Sequence, residues 1–124
     1  MPNIIETVTL TSPLRRIRHE AERRIGIGII VNGKAFRCDE ISTQRIGELV
    51  RSFEDGLIEE GGVTFRTDAG DAYTLSSLSD ARTIYDAQRR HRTALLAASS
   101  SLQAAPPTDP QADEHWPVPE QVTI

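Results

Sequence analysis

The stretch VNGKAFRCDEIS, residues 31–42, decides the fold. Its Asn32-Gly33 pair lies between short apolar runs, and both central residues of a type I′ turn need positive φ, which Asn and Gly accept readily. A two-residue loop sets the pairing: Val31 with Lys34, Ile30 with Ala35, Ile29 with Phe36, and Ile27 with Cys38. Side chains alternate along a strand, so Ile27, Ile29, Val31, Phe36 and Cys38 are predicted on one apolar side. Asp39 or Ser42 then caps a helix whose Ile46, Leu49, Val50 and Phe53 recur at i, i+3, i+4 and i+7. The stretch therefore reads as a hairpin running into a capped helix, not as a reactive cysteine among acids.

A second unit of the same kind follows. VTFRT (63–67) and DAYTL (71–75) flank Asp68-Ala69-Gly70. A two-residue loop would mix the faces, whereas a three-residue loop sets Phe65 opposite Tyr73 and Val63 opposite Leu75, with Gly70 in the left-handed position. Ser77, with Asp80 three residues on, opens a long helix predicted to run to about residue 104. GKAFRCDEISTQR (33–45) and GDAYTLSSLSDAR (70–82) align without a gap, which predicts two related β-β-α halves. Upstream, Ser12-Pro13 starts an arginine-rich helix with Leu14, Ile17, Ala21 and Ile25 facing inward, ended by Gly26 and Gly28. The predicted fold class is α+β. An N-terminal helix precedes two β-hairpin–helix units whose antiparallel hairpins pack on helices, and the long last helix leads into an extended terminus. Residues 1–12 are predicted as an arm or edge strand, 13–104 as the domain, and 105–124 as an extended tail holding five of the seven prolines.

With 124 residues, 38% of them apolar, the chain suffices for one small core. A single cysteine rules out an internal disulfide, and the first residues lack the basic start and apolar run of a signal peptide. No stretch has the length of apolar sequence that a membrane span needs, so a soluble protein made in the cytoplasm is expected. The net charge of −4 hides alternating blocks: seven bases against two acids over 13–37, three against ten over 38–80, and four against one over 81–105. Such blocks can steer one subunit onto another or a basic face onto an acidic partner.

The last helix carries a stripe at alternating three- and four-residue spacing: Ala81, Ile84, Gln88, His91, Leu95, Ala98 and Leu102. This is a short coiled-coil-like seam with two polar members, and it is expected to dock a partner or a second copy. In the tail, Trp116, Val118, Val122 and Ile124 are the expected docking groups.

Catalytic and metal chemistry finds little support. Cys38 would need a base, and His19, His91 and His115 are scattered; the predicted register buries the thiol, and Asp39 and Glu40 would raise its pKa. No Cys/His cluster has zinc spacing, and DAGD (68–71) lacks the acid ladder of a calcium loop. GIG (26–28) follows a helix and precedes a strand, the reverse of a phosphate-binding fingerprint. No catalytic residue, metal ligand or cofactor is expected. RRIRHEAERR (15–24) and RRHR (89–92) put positive charge on two helices, which admits a small nucleic-acid-binding regulator as a rival reading. The net negative chain and sparse aromatics argue against it.

Taken together, RRI…GIIVNGKAFRCDEISTQRI and the later TLSSLSDARTIYDAQRRHRTALLAA resemble a small domain-of-unknown-function family found in bacteriophage tail-fibre and tail-tip proteins and prophage genes. The likeness spans residues 14 to about 104. It implies a non-enzymatic virion structural protein of the tail, joining tail tip, baseplate or fibre attachment and assembling with other tail proteins. Within such an assembly the seam of the last helix leads to an expected homo-oligomer, with a trimer among the options. Members often end a longer fibre chain, whereas here the domain stands nearly alone, which favours a small virion component over a receptor-binding fibre. A cytoplasmic tail-fibre assembly factor is the alternative.

Overall fold

The computed structural model describes residues 12–124. The arm or edge strand expected over residues 1–12 lies, apart from Ser12, outside the described residues. Helix α1 (Pro13–Ile27) begins as the sequence predicts: Ser12 Oγ accepts the N–H of Arg15 at 3.2 Å, and Pro13 takes the first helical position. Its end differs from expectation. Gly26 stays helical, and the helix runs through Ile27, which is 40% exposed and never joins a strand. Gly28 is the cap (φ +75°), and a Cβ there would lie 1.9 Å from the carbonyl oxygen of Phe36. Only glycine fits where the helix turns into the first strand.

Strands β1 (Ile29–Val31) and β2 (Lys34–Phe36) form the hairpin in the predicted register, with Asn32 at φ 49° in the turn. The second hairpin, β3 (Val63–Arg66) and β4 (Ala72–Leu75), pairs Phe65 with Tyr73 and Val63 with Leu75, as a three-residue loop requires. Helix α2 (Glu40–Glu54) is capped by Asp39, whose Oδ1 accepts the N–H of Ser42 at 2.9 Å. Helix α3 (Leu78–Ala104) is capped by Ser77 and, at 27 residues, is about 40 Å long. Three helices and two small sheets make an α+β fold among the described residues.

The two hairpins meet through Phe36, which packs edge-on against Tyr73 at 5.2 Å and Phe65 at 6.2 Å. These rings join Ile29, Val31, Ile46, Val50, Leu75 and Ile84 in the main core, between the sheets, α2 and the first half of α3. A second core gathers Ile17, Ala21, Cys38, Leu95 and Trp116 under the distal half of α3. Cys38 is buried as expected, but by α1: its N–H donates to Ile25 O at 3.0 Å in place of a strand partner at Ile27.

The tail corrects the sequence reading most. It is extended and proline-rich, yet it is built into the fold. Gln121–Val122 forms β5, parallel to β1, so the first sheet has the order β2-β1-β5. Ile30 and Asn32 donate their backbone N–H groups to Glu120 O and Val122 O, both at 2.9 Å. Asn32 also clamps Ile124, its Nδ2 donating to Ile124 O and its Oδ1 accepting from Ile124 N. Periodicity in the tail sequence is too short to announce a strand; pairing with a distant edge supplies it.

Two hairpin-helix units are present in element order, and the aligned repeat holds over the hairpins, where Gly33 and Gly70 both take positive φ and Phe36 and Tyr73 are both buried, but not over the helices. The caps Asp39 and Ser77 differ by one residue from the alignment offset, and Ile41 is 63% exposed while its counterpart Leu78 packs on the core. A further match lies outside the alignment. Gly62 precedes β3 as Gly28 precedes β1, and its Cβ would lie 2.1 Å from Leu75 O. Both glycines let a strand start flush against the carbonyl that ends its hairpin partner. Gly28→Ala should therefore cost about 2–4 kcal/mol in urea unfolding. Gly33→Ala, also at positive φ but with no atom near its Cβ, should cost only about 1–2 kcal/mol.

Candidate functional site

The stripe on α3 is this chain's own inner face. Ile84 and Leu95 are fully buried, Gln88 and His91 nearly so, and Ala98 and Leu102 pack half-buried on the second core. Gln88 Nε2 donates to Arg37 O at 2.9 Å, which ties the helix to the end of the first hairpin. The seam expected to meet a partner is thus occupied by α1, the sheets and the tail. Trp116 and Val122 are buried as well, while Val118 (78% exposed) and Ile124 (39% exposed) face outward. A stripe at this spacing fits a coiled-coil seam and the inner face of a domain equally well; the burial shows it to be the inner face here.

Polar chemistry serves the same purpose. Arg24 is buried; its Nε donates to Glu20 of the same helix at 2.7 Å, and it holds the tail through Nη2, which donates to Asp113 Oδ1 at 2.6 Å, and through the guanidinium, 5.5 Å from the Trp116 ring centre. Nη2 also reaches Gln111 O, and Trp116 Nε1 donates to Pro110 O at 2.8 Å. Burial works to raise the Glu20 pKa, but hydrogen bonds and charge from Arg23 and Arg24 outweigh it and hold the carboxyl below its ordinary range. Arg90 pairs with Glu120 farther along the tail. Burial, helped by Asp39 and opposed by Arg92, pushes the Cys38 thiol up to about 11, so it is protonated and inert at neutral pH. The described residues contain no group of three or more His, Cys, Asp or Glu able to hold a metal ion.

Two of the concavities among the described residues have apolar walls. One, of about 270 Å³, lies between the hairpins and α2, with Phe36, Leu49 and Phe65 on its walls and Arg45 and Arg66 also lining it. The other, of about 370 Å³, runs between α1 and the distal half of α3. Arg18, Ala21 and Ile25 line it from α1, and Leu96, Ser99 and Gln103 from α3. Leu96 is 52% exposed. Leu95 and Leu96 are adjacent, and neighbouring helical positions are about 100° apart, so burying one turns the other outward. The doublet is the trace of the groove in the sequence, and the structure buries Leu95 and leaves Leu96 on the groove wall. Leu57, 72% exposed in the loop after α2, was likewise missed.

Compared with known proteins, the chain matches no family model, and neither curated proteins nor solved structures give a significant match.

Burial holds the His91 pKa below 6.5, against a smaller upward pull from Glu120. The neutral imidazole is then favoured in the folded state. His91's contribution to stability is complete above pH 6.5 and is lost as pH falls below it. Glu20 and Asp39, both lowered, add their losses only at more acidic pH, as their folded-state carboxylates protonate. The urea midpoint should fall between pH 7.5 and 5.5, values on either side of the ordinary histidine pKa of about 6.5. A His91→Gln variant should show a smaller fall over that interval.

Proposed function

We propose that this chain is a non-enzymatic assembly protein, a structural component of a bacteriophage tail that acts by binding other tail proteins and further copies of itself. The observation that carries the assembly reading is the groove between α1 and α3. It has the exposed Leu96 on one wall and Arg18 on the other, and no described element of the chain covers it. The charge blocks support it. Arg15, Arg18 and His19 lie exposed on α1, while Asp55, Glu59 and Glu60 lie exposed beyond α2. Surfaces of opposite sign on one small domain favour oriented docking. The tail setting rests on the resemblance carried by Gly33, Phe36, Ser42 and Arg45 and by the long helix that follows Ser77.

The inert Cys38 and the inward use of His91, Glu20 and Gln88 agree with a scaffold role. Of the rivals, a cytoplasmic assembly factor would use the same surfaces without entering the particle. A nucleic-acid-binding regulator would use the exposed arginines of α1 and α3. Mass spectrometry of purified virions should find the protein in stoichiometric amount with other tail proteins. Its presence in lysate but absence from virions would favour the assembly factor, and a salt-sensitive gel shift with DNA or RNA would favour the regulator.

A further inference from the structure

The acidic loop beyond α2 and the arginines of α1 beside the α1–α3 groove are opposite in charge, and the loop sits at the start of α3 while the groove lies along its distal half. Residues 54–60 hold four acids and no base. Glu54 is tied to Arg82 at 2.7 Å, which fixes this loop beside the start of α3. Asp55, Glu59 and Glu60 have no ion-pair partner among the described residues.

The loop backbone is held in shape. Leu57 N–H donates to Ser52 O at 2.9 Å and Gly56 N–H to Phe53 O at 3.1 Å, the paired bonds of a Schellman helix end. The residue after the glycine in that motif usually packs back on its helix. Here that residue is Leu57, and it points out instead, 72% exposed among acids.

The groove offers the counterpart. The small, buried Ala21 and Ser99 line it, Ile25 and Leu96 add apolar surface, and Arg18 spans it by donating to Gln103 Oε1 at 3.4 Å. Glu22 is the one acid on its lining. Arg15 and Arg18 have no carboxylate partner among the described residues. Its volume of about 370 Å³ has room for a leucine side chain.

Arg82 and Leu96 are 14 residues apart on one straight helix, about 20 Å, so the loop cannot reach its own groove. We propose that the loop of one copy docks in the groove of the next, with Leu57 entering between α1 and α3 and Asp55, Glu59 and Glu60 facing Arg15 and Arg18. The contact joins two different surfaces and is heterologous, so it propagates into a ring if the rotation closes and into a filament if it does not. It rests on the assembly reading and names the partner of its groove.

The test uses the full chain, with mass followed by sedimentation or light scattering against concentration at low and high salt. Wild type should pass beyond dimer as concentration rises, and high salt should weaken the association. Leu57→Glu and Leu96→Glu alter exposed residues and should keep the fold, checked by circular dichroism. Each variant alone should be monomeric. An equimolar mixture should give a one-to-one dimer and nothing larger, because the first keeps an intact groove and the second an intact loop. Arg18→Glu should weaken association at least about tenfold, and Glu59→Lys with Glu60→Lys on the other copy should restore it.

A wild-type monomer at every concentration, self-association that survives both leucine substitutions, or a mixture that stays monomeric would overturn the proposal. The virion measurement is separate. A protein found in virions but monomeric in isolation sinks this contact and leaves the virion-component reading standing; association in solution without virion incorporation keeps the contact and sinks the virion-component reading.

Discussion

The structure depends on the burial of one face of α3. At about 40 Å this helix is too long for a single small core to cover. Its first half closes the hairpins and α2, with Ile84 and Ala87 in the main core, and its second half must be covered by something else. Helix α1 and the proline-rich tail do that, around Leu95. Gln88 and His91 sit between the two cores, which explains why polar residues interrupt an apolar stripe: one anchors the end of the first hairpin, and the other lies beneath the tail region. Without α1 and the tail, Leu95 and its neighbours would face water and the distal half of α3 would have little reason to stay helical.

Arg24 is the device that makes this covering specific. Salt bridges at a surface contribute little, but this guanidinium is buried, with Glu20 on its own helix and Asp113, Gln111 O and the Trp116 ring on the tail. Glu20 is the buried counterion and Asp113 an exposed one, so removing Glu20 would leave Arg24 with only a partner at the solvent boundary. The tail is then latched again by Arg90 with Glu120, by the β1 edge, and by Asn32 on Ile124. One consequence bears on function. Most of the apolar groups a partner might have used are consumed internally, and the α1–α3 groove and the acidic loop are among the surfaces that keep both charge and apolar character.

Local rules carried much of the fold. Asn32-Gly33 fixed one register, the mismatch of faces under a two-residue loop fixed the other, and Ser12, Asp39 and Ser77 marked three helix starts that the structure shows. What could not be read depends on distant chain. Nothing near Gln121 says that it pairs with Ile30, 91 positions earlier, and nothing near Arg24 says that its partner is Asp113. The helical pattern of α1 placed Leu14 inside, but at the first turn of the helix it is 39% exposed, while Glu20 and Arg24, which the pattern did not mark, are buried. The candidate site was obscured for a related reason: a stripe's spacing is the same whether it meets its own domain or a neighbour, and only burial tells them apart.

The tail is an integral strand and cover of the fold, not an appendage. Native-state hydrogen exchange at the amides of Ile30 and Asn32 tests it most directly, because these N–H groups are bonded to Glu120 O and Val122 O and to nothing else that would protect them. If the tail is part of the cooperative fold, both amides should exchange with a free energy close to that of global unfolding, and Trp116→Ala should lower their protection along with that of the Leu95 amide. Exchange at Ile30 and Asn32 near the rate of an open sheet edge, while the core of α3 stays protected, would contradict the account.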